Sequence, residues 1–310
     1  MNSYTNPQIQ SMGTYAPPLE GRRAYTGCLL DFNERTTQVS PKVMNAIQKF
    51  ITEGKYHVYP EYGDFAAKCA AYAKVQPEQV IITNGADHGI DLIFRTFTAK
   101  DDPVIIPAPS FAMFDQAAGY VGNKVISPSY RKDLAFPLEE VLNALNPGVK
   151  LVVICNPNNP TGTLITKEEI EKILKKALTV NAMVYVDEAY YEFGRITVAP
   201  LINKYKNLVI TRTFSKAFGL AALRVGYVLS CAENIAELLK VRGPYDINMV
   251  SVVGAEAALE DRTSMEAYVA ETMTKAKPLL ENFFMEWKVP FFKSGSNFIL
   301  FKPKDAQKTF

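Results

Sequence analysis

Histidine and tryptophan are scarce in this 310-residue chain, which has two of the first and one of the second. A Ser/His/Asp triad is thereby left with at most one credible base, because His57 lies in an arm-like stretch and His88 opens a helical one. The four cysteines, Cys28, Cys69, Cys155 and Cys231, are widely spaced, with no CxxC or Cys/His cluster. Neither a zinc site nor a disulfide framework is indicated, and all four are expected reduced and mostly buried. Charge of one sign is missing as well: 34 Lys+Arg against 32 Asp+Glu leave +2, without the basic footprint of a nucleic-acid binder. No run of about 18 apolar residues could span a membrane, and the N-terminus lacks the basic start and apolar core of a signal peptide. A soluble, cytoplasmic chain is expected. GxSxG, GxGxxG and GxxxxGK[ST] are all absent, which removes the usual sequence support for an α/β-hydrolase, a dinucleotide binder or a P-loop NTPase.

What is present is alternation. Short Val/Ile-rich runs at Val80–Thr83, Val104–Ile106, Leu151–Ile154, Met183–Val186, Leu208–Thr211 and Val225–Leu229 alternate with helical patterns at Asp87–Thr98, Phe111–Tyr120, Lys167–Leu178 and Ala232–Val241. Apolar runs bounded by turns and separated by helices predict an α/β fold with a mostly parallel buried sheet. Residues 1–40, with Pro7, Pro17 and Pro18, read as an N-terminal arm and part of the small domain, 41–246 as a large domain, and 247–310 as a smaller α+β C-terminal domain. In that last region helices are expected over Ser251–Glu260 and Met265–Trp287, and a strand near Asn297–Phe301.

Ligands of open α/β sheets bind beyond the carboxyl ends of the strands. Those ends read TNGADHG (83–89), PAPSFAMF (107–114), CNPNNPTG (155–162), VDEAYYEF (186–193) and TFSKAFGLAALR (213–224). Lys216 would ordinarily be a solvated lysine, yet it follows an apolar strand with no carboxylate nearby in sequence. Desolvation there favours the neutral amine that Schiff-base chemistry needs. Asp187 ends a strand and taken alone reads as a helix N-cap; Glu188 points to the opposite face if the strand continues. Asn159 sits in a turn-forming NPNNPTG segment, and Phe111 reads equally as a core residue. Gly85, Ala86 and Asp87 open a helix, where backbone amides can face an anion.

Together the five segments, in order and approximate spacing, resemble the fold-type I pyridoxal-phosphate enzymes of aminotransferase class I/II, most closely their histidinol-phosphate aminotransferase branch. The resemblance runs from about residue 13 to 303. It implies pyridoxal 5'-phosphate held covalently by Lys216, which would also shuttle the substrate Cα proton. It further implies Asp187 at the ring nitrogen, Asn159 and Tyr190 at the ring's phenolic oxygen, and Phe111 stacked on the ring face. Gly85, Ala86, Asp87, Thr213, Ser215 and Arg224 would hold the phosphate. Tyr59 would reach the neighbouring subunit's cofactor, making the enzyme a homodimer; its bland alternative is a tyrosine packed in a turn before Pro60. Tyr15 and Asn33 match positions that face the substrate, a small amino acid or amino-alcohol phosphate.

Two departures from that pattern bear on the reaction. His88 stands where the pattern has glutamate, so it is either an added acid or base or an ordinary helix-start residue. The chain also ends at KPKDAQKTF, where the pattern continues into a segment carrying a carboxylate-binding arginine, and the small domain is therefore expected to be incomplete. The cofactor alone does not fix the reaction. Aminotransfer is the expected activity; a lyase, decarboxylase or cyclase using His88 is the alternative, and a catalytically silent binding protein a third reading.

Overall fold

The computed structural model describes residues 4–306; the outermost ends of the expected arm and small domain, 1–3 and 307–310, lie outside the described residues. Among the described residues, seven strands form one sheet: β1 (Val80–Thr83), β2 (Pro103–Ile105), β3 (Lys124–Ile126), β4 (Leu151–Cys155), β5 (Met183–Asp187), β6 (Leu208–Thr213) and β7 (Gly226–Ser230). Their order is β1-β7-β6-β5-β4-β2-β3. The pairs β3–β2–β4–β5–β6 are parallel, and β7 runs antiparallel to both neighbours.

Period-two alternation sends successive side chains to opposite faces. Val152, Ile154, Val184, Val186, Leu208 and Ile210 enter one core, with helices Pro41–Glu53, Gly63–Ala73, Lys167–Thr179 and Met249–Glu260. Val104, Val153, Tyr185, Val209 and Val228 enter the other, beneath Gly85–Phe97, Met113–Val121 and Ala232–Val241. The predicted α/β sandwich of a mostly parallel sheet between helices is therefore what forms. Burial on both faces explains why the strands read as unbroken apolar runs.

Several elements differ from the sequence reading. Pro41–Glu53 is a helix, started by Pro41 at its first turn and by Ser40, whose hydroxyl accepts from Lys42 N–H. The short β3 is an exposed edge strand beginning with lysine, so its apolar signal is weak. The expected helix over 265–287 is two helices, Arg262–Glu271 and Lys277–Glu286, joined by one wider π-type turn at Thr272–Ala276. Pro278, which has no N–H to give to the previous turn, accounts for the widening. The strand expected near 297–301 is not formed: only a single antiparallel bridge joins Phe291 to Phe301.

The reversed β7 is what assembles the site. Gly226 pairs with Thr83 at the end of β1 and with Thr213 at the end of β6. A Cβ on Gly226 would lie 2.8 Å from Ala86 N, Arg212 O and Gly85 C, so only glycine lets these backbones meet. Three segments, 84–87, 213–216 and 224–226, therefore converge at one corner of the sheet.

Candidate active site

Lys216 follows β6 and is largely buried; its Nζ donates to the Phe32 carbonyl at 2.6 Å and lies 5.6 Å from the Tyr190 ring centroid. Burial lowers its pKa, opposed by the charges of Glu34 and Asp87. Phe32 belongs to an arm segment that Arg22 clamps by pairing with Asp31 and Glu34 while stacking over the Phe32 ring.

The Tyr190 hydroxyl accepts from Asn33 Nδ2 at 3.1 Å and from Asn159 Nδ2 at 3.5 Å. Asn33 is held in turn, at φ 55°, by Asn297, which donates to its carbonyl at 3.1 Å. Lys216, Tyr190, Asn159 and Asn33 thus form one cluster. Asn33 was matched in sequence to a substrate-facing role, and the structure ties it to Tyr190.

Asp187 ends β5 with 3% exposure. Its Oδ1 accepts from Thr211 Oγ at 2.8 Å and from Ala189 N–H at 3.1 Å. No cationic side chain among the described residues pairs with it, and burial pushes its pKa up to about 7, with the Thr211 and Ala189 hydrogen bonds opposing. Glu188 does point the other way, as expected: it pairs with Arg212 at 2.8 Å, both fully buried, and accepts from Thr197 and from Val198 N–H. The Arg212 guanidinium lies 3.9 Å over the Tyr191 ring.

At the corner beneath Gly226, helix Gly85–Phe97 begins without a side-chain cap on its first amides. Thr213 Oγ donates to Ser215 Oγ at 3.0 Å, and Arg224 Nη1 lies 3.5 Å from that same Ser215 oxygen. Arg224 Nη2 pairs with Asp87 at 2.7 Å, and a Cβ on Gly85, which has φ +76°, would strike that nitrogen at 2.6 Å. Free amides, two hydroxyls and a guanidinium make an anion cradle.

Phe111 is half-buried and edge-on to Phe114, centroids 5.8 Å apart. Tyr59 is 72% exposed and stacks on Tyr245 at 4.3 Å, beside a cavity of about 500 Å³ also lined by Asn84 and Met249. Tyr15 stands half-exposed on the arm, and no described contact brings it to Lys216. His88 Nδ1 accepts from Asn84 N–H at 3.3 Å and lies 3.2 Å from Asp246, which Arg242 already engages at 2.7 Å. Burial lowers the His88 pKa, which favours the neutral ring that Asn84 N–H can donate to. The contacts described for His88 bring it to neither Lys216 nor Asp187. Thr211, Tyr185 and Arg212 were missed in the sequence because all three sit inside strands.

The site's own chemistry fits pyridoxal phosphate. A buried carboxylate without a cation suits a protonated pyridine nitrogen, and the cradle suits a phosphate within reach of a largely buried lysine. A family model described as aminotransferase class I and II matches residues 27–310. A histidinol-phosphate aminotransferase of Thermoanaerobacter sp. (strain X514) is 37% identical over 283 residues, 89% of this chain and 79% of that one. A dihydroxyacetone phosphate transaminase of Campylobacter jejuni is 37% identical over 246 residues, 78% of this chain and 66% of its own length. The crystal structure of the Sinorhizobium meliloti histidinol-phosphate aminotransferase in complex with pyridoxal-5'-phosphate shares the fold, with a TM-score of 0.86 at 24% identity, over 99% of this chain and 84% of that one.

These likenesses define a pyridoxal-phosphate-dependent transferase of fold type I. The chain belongs to the aminotransferase class I and II family, and its activity is aminotransfer.

Proposed function

We propose that the amino-group substrate is a small amino-alcohol phosphate of the histidinol-phosphate type, handled by Lys216 at a site that two copies of the chain complete. The observation that carries the site assignment is the convergence of Lys216, Tyr190, Asn159 and Asn33 beside an uncompensated buried Asp187. The two curated relatives, named for histidinol phosphate and for dihydroxyacetone phosphate, support a phosphate ester.

When bound, pyridoxal phosphate supplies the electron sink that stabilises a substrate carbanion at Cα. Asp187 would hold the ring-nitrogen proton, and Asn159 and Tyr190 would orient the ring through its phenolic oxygen. Phe111 would cover one ring face. The amides of Gly85, Ala86 and Asp87, the Thr213 and Ser215 hydroxyls and Arg224 would bind the phosphate. Lys216, whose charged form burial disfavours, moves the proton at Cα as base and then acid. Tyr59, exposed beside Tyr56 and Tyr245, supports a homodimer in which it reaches the partner's site. His88, turned toward Asp246, does not support the lyase alternative.

The test is amino transfer to 2-oxoglutarate from histidinol phosphate, from serinol phosphate and from the two unphosphorylated alcohols. The phosphate reading holds if the esters are used at least tenfold better in kcat/KM, and fails if the free alcohols or plain amino acids are preferred. Sedimentation equilibrium of the loaded enzyme checks the dimer, and Tyr59→Ala should weaken cofactor retention without breaking Lys216 chemistry.

A further inference from the structure

Asp187 is not supported by backbone alone. Thr211, its register partner on β6, is fully buried and donates to Asp187 Oδ1 at 2.8 Å. The same Thr211 oxygen lies 2.8 Å from the hydroxyl of Tyr185, which is also fully buried and sits two residues before Asp187 on β5. A threonine hydroxyl has one proton and two lone pairs. With that proton committed to an ionised Asp187, the Tyr185 O–H is the donor and Thr211 the acceptor. The two hydroxyls form a one-way chain, Tyr185 to Thr211 to Asp187, in which each donation strengthens the next. In strand register, Tyr185 belongs to the core beneath helix Gly85–Phe97.

We propose that Tyr185 and Thr211 are positioning residues whose hydroxyl chain aims and polarises the Asp187 carboxylate toward the ring nitrogen of the bound cofactor. The need for it follows from the burial of Asp187. A carboxylate sealed from water with no side-chain cation depends on hydrogen bonds to stay ionised and fixed in one rotamer. Ala189 N–H supplies one of these, and the chain supplies the other together with the direction. This inference rests on the assignment of Asp187 to the ring nitrogen.

The experiment uses the cofactor-loaded enzyme and four variants beside the parent: Asp187→Asn, Thr211→Val, Thr211→Ser and Tyr185→Phe, together with the Thr211→Val/Tyr185→Phe pair. Pyridoxal-phosphate affinity is read by equilibrium dialysis, kcat and KM are read separately, and folding is read by thermal melting. Thr211→Val keeps the side chain's shape and should lower both cofactor affinity and kcat about tenfold, the weight of one hydrogen bond to a charged acceptor, with KM nearly unchanged. Thr211→Ser restores both. Tyr185→Phe alone costs about threefold and adds nothing in the Thr211→Val background, because the relay is already cut. The double variant melts no lower than Thr211→Val, since the orphaned Tyr185 hydroxyl is gone. Additive losses, or failure of serine to rescue, overturn the relay. If Asp187→Asn itself leaves affinity and kcat intact, the assignment of Asp187 fails; if Asp187→Asn is impaired while Thr211→Val is not, the relay alone fails.

Discussion

Arg212→Met tests how the loop carrying Asp187 and Tyr190 is fixed to the sheet. Arg212 lies in β6 between Thr211, which serves Asp187, and Thr213, which faces the anion cradle. Its own side chain turns to the other face and meets Glu188 at 2.9 Å through Nε and Thr197 at 2.7 Å through Nη2. Arg212 is 2% exposed and Glu188 1%. Methionine replaces the stem but leaves Glu188 a buried anion with only Thr197 and Val198 N–H as donors. Breaking one side of such a pair costs about 3–5 kcal/mol, which for a chain of this size is a fall in Tm on the order of 10 °C. Urea denaturation of the parent, Arg212→Met, Glu188→Gln and the double variant measures it. The double should lose less than the sum of the singles, because Glu188 is no longer left a buried anion without its cation. An Arg212→Met loss below about 1 kcal/mol, or strictly additive losses, would refute the idea that this pair pins the loop.

Other perturbations follow from the same geometry. Lys216→Ala should abolish the shifted visible absorption of bound pyridoxal phosphate and leave the cofactor removable by gel filtration; an unchanged spectrum rejects Lys216 as its attachment point. Gly226→Ala drives a Cβ into backbone atoms at 2.8 Å; it should cost about 1–3 kcal/mol and weaken phosphate retention, and a neutral effect in both assays would contradict the tight corner. Asp187 carries a raised pKa of about 7 against 3.8, so the folded chain without cofactor binds the extra proton and loses stability as pH rises between those values. Asp187→Asn should therefore be the more stable protein at pH 8 and equal to the parent at pH 3.5, as read by denaturant midpoints; the opposite trend would show that Asp187 is held as a satisfied carboxylate.

The polar strand ends were legible because they interrupt apolar runs: NGAD after β1, NPNNPTG after β4, DEAY at the end of β5 and SKAF after β6 all fall where the sheet places them. Strand direction was not legible, since alternation of apolar residues is the same up or down a sheet, and β7 looked like any other run. Thr211, Arg212 and Tyr185 were hidden for a related reason. Inside a strand their polar atoms find partners only across the register, between β5 and β6, and spacing along one chain does not reveal that pairing. The role of Asn33 depended on the fold of the arm, where Phe32 and Asn33 meet Lys216 and Tyr190 from more than 150 residues away. The helix Pro41–Glu53 did carry a signal, serine followed by proline before an apolar periodicity, and falls in the expected large domain without being among the expected helices. The expected strand near 297–301 is only a bridge between Phe291 and Phe301.

Because Gly226 is matched to Thr83 on one side and Thr213 on the other, the spacing between helix start, lysine loop and arginine is not stored in any of the three loops. It is stored in the hydrogen-bond ladder of a single reversed strand. Connecting helices can therefore lengthen or shorten without disturbing the cradle, whereas a slip of β7 by one residue would misplace all three of its segments together. Anyone wishing to move this anion site onto another sheet would transplant a strand pairing rather than a sequence motif.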